Sequence, residues 1–219
     1  MASIIDLSHT IEHDMITYPG LPGPAISDHL SREASRAHYA PGTEFQIGRI
    51  EMVSNTGTYL DTPSHRYPTG HDLAGVPLDH IADVPGICVQ VPEGTGGAGP
   101  ELLDGLDVRG RAVLFATGWD RYWRTDHYGD GEHPFVLVDT AQALVDGGAV
   151  LAGIDSVNID DTRGNARPVH STLLAAGVLI VEHMTGLDQL VGRSFRFFAV
   201  PPKVRGMGTF PVRALAVVQ

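Results

Sequence analysis

The stretch Asn55-Thr56-Gly57-Thr58-Tyr59-Leu60-Asp61-Thr62-Pro63-Ser64-His65 decides how this chain is read. It sets a carboxylate, Asp61, and an imidazole, His65, four residues apart with Pro63 between them. A proline inside the segment disfavours a regular helix, so the stretch is expected to be extended. Side chains of an extended segment alternate between faces. Asn55, Tyr59, Asp61 and His65 then share one face. Gly57 leaves room for another group to approach the backbone. Four polar side chains on one side suit a metal or a catalytic cluster, although an isolated Asp–His pair is common on protein surfaces.

Two later segments supply what a metal would need. His170 precedes a short helical stretch expected over residues 171–176. Glu182 ends the apolar run Val178-Leu179-Ile180-Val181. A carboxylate at the end of a buried strand is costly unless paired or coordinated, and strand ends in α/β sheets are where sites form. Asp61, His170 and Glu182 make a three-ligand N/O set of the kind that holds catalytic zinc with one position open. Two carboxylates and one imidazole also suit manganese. Such an ion lowers the pKa of bound water and polarises a carbonyl. His65 could then move the proton as general base and acid.

Strand-like apolar runs are expected over residues 47–53, 87–91, 112–116, 149–154, 178–181, 195–200 and 214–218. Helical segments are expected over 140–146, with Asp139 as N-cap and Gly147-Gly148 as stop, over 171–176, and briefly over 100–104. Strands alternating with helices predict an α/β fold. The excess of strands predicts a mixed β-sheet core with flanking helices rather than a pure doubly wound sheet. The Gly- and Pro-rich residues 92–100 read as a surface loop, so residues 1–219 are expected to form a single domain.

Composition bounds the function. The chain has 219 residues, 42% of them hydrophobic, enough for a sizeable core. Fifteen basic against 26 acidic residues leave a net charge of −11. That argues against nucleic acid as a partner and against an anionic membrane surface. The one cysteine, Cys88, lies in an apolar run and reads as a buried structural thiol. Met1 to Leu7 show no basic leader and no long apolar segment, so a cytoplasmic location is the expectation. The polar loop 160–167, with Arg163 and Arg167, reads as solvated, with recognition of an acidic group the alternative.

Taken in order, these motifs resemble the metal-dependent cyclase and kynurenine formamidase family of amide hydrolases. Ile5-Asp6-Leu7-Ser8-His9-Thr10-Ile11 with Tyr18-Pro19-Gly20 is similar to the family's opening. Thr56-Gly57-Thr58, Asp61, Pro63 and His65 match its signature, His-Thr-Gly-Thr-His-x-Asp-x-Pro-x-His. Thr117-Gly118-Trp119-Asp120, Gly153-Ile154-Asp155, Val169-His170, Val181-Glu182 and Pro211-Val212-Arg213-Ala214 match later segments. The resemblance implies a swivelling β/β/α fold, a homo-oligomer (dimer or tetramer) and a small-molecule substrate. It implies that Asp61 and Glu182 bridge two metals, that His170 binds the second, that His65 is proton donor and acceptor, and that Tyr18 faces substrate. The chain departs from the signature at two positions. Asn55 and Tyr59 stand where the family has histidines, and an amide oxygen and a neutral phenol are poor zinc ligands. One ion per chain is therefore expected, zinc or alternatively manganese, with Asn55 and Tyr59 left to meet the substrate. A metal-dependent hydrolase of an amide, or of a cyclic amide or ester, is the leading expectation. A metal-free small-molecule binding protein and a non-hydrolytic cyclase or lyase remain as alternatives.

Overall fold

The computed structural model describes residues 3–218; the Met1-Ala2 portion of the expectation drawn from the N-terminus lies outside them. Among the described residues thirteen strands appear in chain order: β1 (Ser3–Asp6), β2 (Ala25–Leu30), β3 (Ile47–Glu51), β4 (Tyr59–Asp61), β5 (Val84–Gln90), β6 (Gly97–Ala98), β7 (Ala112–Ala116), β8 (Phe135–Val136), β9 (Leu151–Ile154), β10 (Leu179–Glu182), β11 (Phe195–Phe198), β12 (Thr209–Pro211) and β13 (Leu215–Val218). The α-helices are α1 (Arg32–Ser35), α2 (Pro63–Arg66), α3 (Val138–Gly147) and α4 (Pro168–Ala175). Nine strands form one sheet in the order β1-β13-β11-β5-β7-β9-β10-β4-β12. Its centre, β5-β7-β9-β10, is parallel, and both flanks are antiparallel. This is the mixed-sheet α/β architecture expected from the sequence.

The parallel centre explains its own sequence. Strands covered on both faces read as continuous apolar runs. All residues of β7, β9 and β10 are buried. Val113, Phe115, Ala152, Ile154 and Ile180 pack on one face with Ala141 and Leu144 of α3 and Leu173 and Leu174 of α4. Leu114, Leu151, Leu179 and Val181 pack on the other face with Phe197 and Leu187. Each fully buried side chain of this kind contributes roughly 1.5–3 kcal/mol relative to exposure. Cys88 is buried and its thiol is pushed up to about 12, chiefly by burial, which leaves it inert at neutral pH.

Three local expectations are corrected. Residues 55–65 are not one extended segment. Gly57 takes φ +65°, β4 spans only Tyr59–Asp61, and Pro63 opens the one-turn helix α2. Proline at the first helical position loses no hydrogen bond and has a suitable φ, so Pro63 starts a helix instead of preventing one. Helix α4 begins at Pro168 for the same reason, which puts His170 inside the helix rather than before it. Helix α3 begins at Val138, with Asp139 in its first turn and Leu137, not Asp139, at the cap. The C-terminal stop holds: Gly148 closes α3 in the left-handed region.

Candidate metal centre and pocket

Strand register assembles the site. Directly opposed residues on antiparallel neighbours project to the same face. β4 pairs with β10 so that Tyr59 lies opposite Glu182, and with β12 so that Asp61 lies opposite Thr209. Tyr59 and Asp61 are two residues apart and share that face. It is the face of the sheet that α4 covers, and α4 carries His170. A one-residue slip would send all of these side chains to the other side.

Asp61, Glu182 and His170 converge and are all buried. His170 Nε2 lies 3.7 Å from Asp61 Oδ2 and 3.6 Å from Glu182 Oε1. These separations are too long for hydrogen bonds. Asp61 Oδ2 is buried with no hydrogen-bond partner. Ligands at about 2.0–2.1 Å from a tetrahedral zinc lie roughly 3.3–3.4 Å from one another. The two separations from His170 Nε2 are thus close to what a divalent cation requires, and imidazole and carboxylate are suitable donors. His65 belongs to the same cluster, since Asp61, His65 and His170 offer ligand atoms all within 4.8 Å of one another.

The surrounding bonds orient each group. Asp160 accepts from His170 Nδ1 at 2.7 Å and from the backbone N–H of Val169 and His170 at 2.7 and 3.0 Å. The Nδ1 proton is thereby held, and Nε2 is turned toward the two carboxylates. Glu182 Oε1 accepts from the Ile159 N–H at 2.7 Å, and Oε2 from the Tyr59 hydroxyl at 2.8 Å. The Thr209 hydroxyl donates to Asp61 Oδ1 and lies 2.8 Å from His65 Nδ1. Its proton is committed to Asp61, so it accepts Nδ1–H of His65. Nε2 of His65 is then the basic nitrogen. Gly208 permits this approach of β12 to α2, because a Cβ there would meet the His65 backbone N at 2.4 Å.

Burial and charge work against each other here. Burial alone would depress the His170 imidazole, but the Glu182 charge, the bond to Asp160 and the neighbouring Asp61 raise it to about 10. Burial also opposes ionisation of Asp61, yet His170, His65 and the Thr209 hydroxyl hold its carboxyl below the ordinary range. Burial pushes Glu182 up to about 7; the positive charge of His170 opposes the shift and the negative charge of Asp61 adds to it. Burial and the Glu182 and Asp61 charges keep the Tyr59 phenol well above its usual range, so it stays a neutral donor. Two buried carboxylates facing one another call for a positive partner. A proton on His170 or a cation meets that need.

A pocket of about 380 Å³ opens over the cluster. Tyr18, Asn55, Tyr59, His65, His170 and Glu182 line it, so six of the seven residues singled out in the sequence reach one pocket, with Asp61 fully buried. Asp160, Thr209 and Asn158 were not legible beforehand. Asp160 sits ten residues before His170 in a loop read as solvated, and Thr209 comes from a three-residue strand with no apolar signature. His183 also escaped notice. It is fully buried in the left-handed region at φ 52°, its Nδ1 lies 2.9 Å from the Tyr128 hydroxyl, and its ring packs against Tyr59. Burial, helped by His9 and His133, pushes its imidazole down to about 3.

A mixed sheet that carries a buried carboxylate–histidine cluster under a pocket defines an α/β protein with a candidate cation site. The family model described as "Putative cyclase" matches residues 5–161, and the chain belongs to that family. It is 26% identical over 214 residues to a kynurenine formamidase of Salinibacter ruber, covering 97% of this chain and 96% of that one. A kynurenine formamidase of Maricaulis maris is also 26% identical, over 227 residues and 98% of both chains. Among solved structures, one described as a potential metal-dependent hydrolase with cyclase activity superposes with a TM-score of 0.81. It is 25% identical, with coverage of 100% of this chain and 99% of the other. Isatin hydrolase A of Labrenzia aggregata superposes equally well, TM-score 0.81, over 99% of this chain and 94% of its own. At 22% identity that likeness speaks for the fold alone. Among the described residues no helix is long and apolar enough to cross a membrane.

Proposed function

We propose that this chain is a metal-dependent hydrolase of a small amide, or of a cyclic amide or ester. Asp61, His170 and Glu182 would hold one divalent cation, zinc or alternatively manganese. The observation that carries the reading is the buried Asp61 Oδ2, which has no hydrogen-bond partner and lies 3.7 Å from the His170 Nε2 that also faces Glu182. The kynurenine formamidase relatives support an amide C–N bond as the target.

A cation bound there would supply Lewis acidity, activating water and polarising the scissile carbonyl. His65, its Nδ1–H held by Thr209, takes a proton from the attacking water at Nε2 and returns it to the leaving nitrogen or oxygen. Asp160 keeps His170 in the tautomer with Nε2 free. Tyr59 and the Ile159 N–H hold the two oxygens of Glu182 in place. Tyr18, Asn55 and Tyr59 form the wall against which a substrate would lie. Pairing of β1 with β13 in the same sheet supports reading residues 1–219 as one domain. The outlying β2–β3 ribbon, with Ile26, Ile47 and Ile50 44–49% exposed, supports assembly of several copies.

The decisive experiment pairs metal content with turnover of small amides and lactones. About one equivalent of zinc or manganese is expected, lost in His170→Ala. His65→Ala is expected to keep the metal and lose turnover by roughly 10²–10⁴-fold. Full turnover in both His65→Ala and Glu182→Gln would sink the proposal. One observation favours a second reading, a metal-free binding protein. A protonated His170 already places a positive charge between Asp61 and Glu182. Protein that stays metal-free after incubation with zinc and manganese, yet binds a small amide unchanged, would establish that reading instead.

A further inference from the structure

The two arginines of loop 160–167 have different surroundings. Arg163 forms a two-pronged pair with Asp161 and is exposed. Arg167 and Arg66 of α2 both line the pocket. Seven of the 14 arginines, Arg163 among them, pair with carboxylates. Among the described residues, neither Arg66 nor Arg167 has a carboxylate partner within 4.0 Å. The Arg167 Nη1 donates to backbone carbonyls of Gly164 and Ala166 at 2.8 and 2.7 Å, with Asp161 O at 3.4 Å, which anchors one edge of the guanidinium and leaves Nε and Nη2 to other partners. The Arg66 guanidinium lies over the Tyr67 ring, with Nε 3.4 Å from the Ser171 hydroxyl. Ser171 in turn donates to the Arg167 carbonyl at 2.8 Å, so one residue ties the two arginine-bearing segments together. Arg66 and Arg167 thus bring two guanidinium groups without carboxylate partners to the cavity that opens over the acidic cluster. Guanidinium groups recognise carboxylates through paired, charge-assisted hydrogen bonds. Tyr18, Pro19 and Leu21 also line the pocket and suit an apolar or planar body.

We infer that the pocket takes an anionic substrate, an amide or cyclic ester that also carries a carboxylate, and that Arg66 and Arg167 hold that carboxylate while the scissile carbonyl faces Asp61, His65, His170 and Glu182. The inference rests on the hydrolase reading for the scissile bond, but the anion preference is a binding property and can be measured alone. The experiment is calorimetric titration of zinc-loaded protein with N-benzoylglycine and with its methyl ester, which differ by the one negative charge. The acid is expected to bind at least tenfold tighter. Arg167→Met and Arg66→Met should each weaken the acid about tenfold and leave the ester within twofold, which also shows that the pocket is intact. Raising sodium chloride from about 0.05 to 0.5 M should weaken the acid and spare the ester in the unaltered protein. Equal affinity for acid and ester, binding of neither, or a preference that survives in the double variant would overturn the assignment; the last would place the carboxylate on the cation. An intact preference with no hydrolysis of any amide would refute the hydrolase reading and leave this one standing.

Discussion

Replacing Asp160 by Asn tests how far the site depends on a residue that touches no substrate. Asp160 accepts three hydrogen bonds, two from backbone N–H groups at the start of α4 and one from His170 Nδ1. An amide has one accepting oxygen, and its NH₂ would face a donor. His170 would lose the anionic acceptor that keeps Nδ1 protonated and Nε2 basic. Loss of such a partner costs about 10–100-fold in metal affinity, or roughly 1.4–2.7 kcal/mol. The helix start is weakened as well. Arg167, at the cap position, gives no side-chain bond to the helix N–H groups, so Asp160 does the capping from nine and ten residues away. That loss should cost about 1 kcal/mol of folding stability. Competition for zinc with a chromophoric chelator measures the first effect, and denaturant unfolding of metal-free protein the second. Zinc affinity within twofold of the parent, in a variant that shows the stability loss, would refute the claim that Asp160 acts through His170.

Zinc uptake should release protons. In the metal-free protein His170 titrates at about 10, so it is charged at neutral pH and must deprotonate to bind. Its raised pKa stabilises the metal-free fold fully below 6.5, and that contribution is lost as pH rises through 10. Zinc affinity should therefore climb about tenfold per pH unit across neutrality, with about one proton released per ion in calorimetry across buffers of different ionisation enthalpy; no release would count against His170 as a ligand. Tyr59→Phe removes the donor to Glu182 Oε2 in a fully buried setting and should cost roughly 1.5–3 kcal/mol by denaturant unfolding. An unchanged midpoint would mean that Glu182 finds another partner. Gly208→Ala would drive a Cβ into the His65 backbone, and a displacement near 1 Å should lower turnover about 10²-fold while zinc affinity changes little. Equal loss of zinc binding would mean that Gly208 supports the whole cluster.

Much of the site was legible locally, because its chemistry sits in short motifs. Asn55, Tyr59, Asp61, His65, His170 and Glu182 were all singled out by residue type and by their neighbours, and the structure gathers them. The reason first given for that convergence was wrong in detail. They meet through a turn at Gly57, a three-residue strand and a helical turn opened by Pro63, not through one extended segment. The buried strands β7, β9 and β10 were read correctly because burial on both faces demands unbroken apolar runs. The short strands β1, β4, β6, β8 and β12 carry too few residues to show a period.

Sequence alone determined the class of architecture and the kind of chemistry, since apolar runs, helix stops and the supply of carboxylate and imidazole groups are local properties. Tertiary structure decided which groups meet. Register set Thr209 opposite Asp61 and Tyr59 opposite Glu182. The path of loop 160–167 brought Asp160 under His170 and turned Arg167, but not Arg163, toward the pocket. Those pairings join residues far apart in the chain, or depend on how a loop lies against a helix. They follow from how the sheet edge, α2 and α4 pack, a many-body outcome that no window of sequence contains.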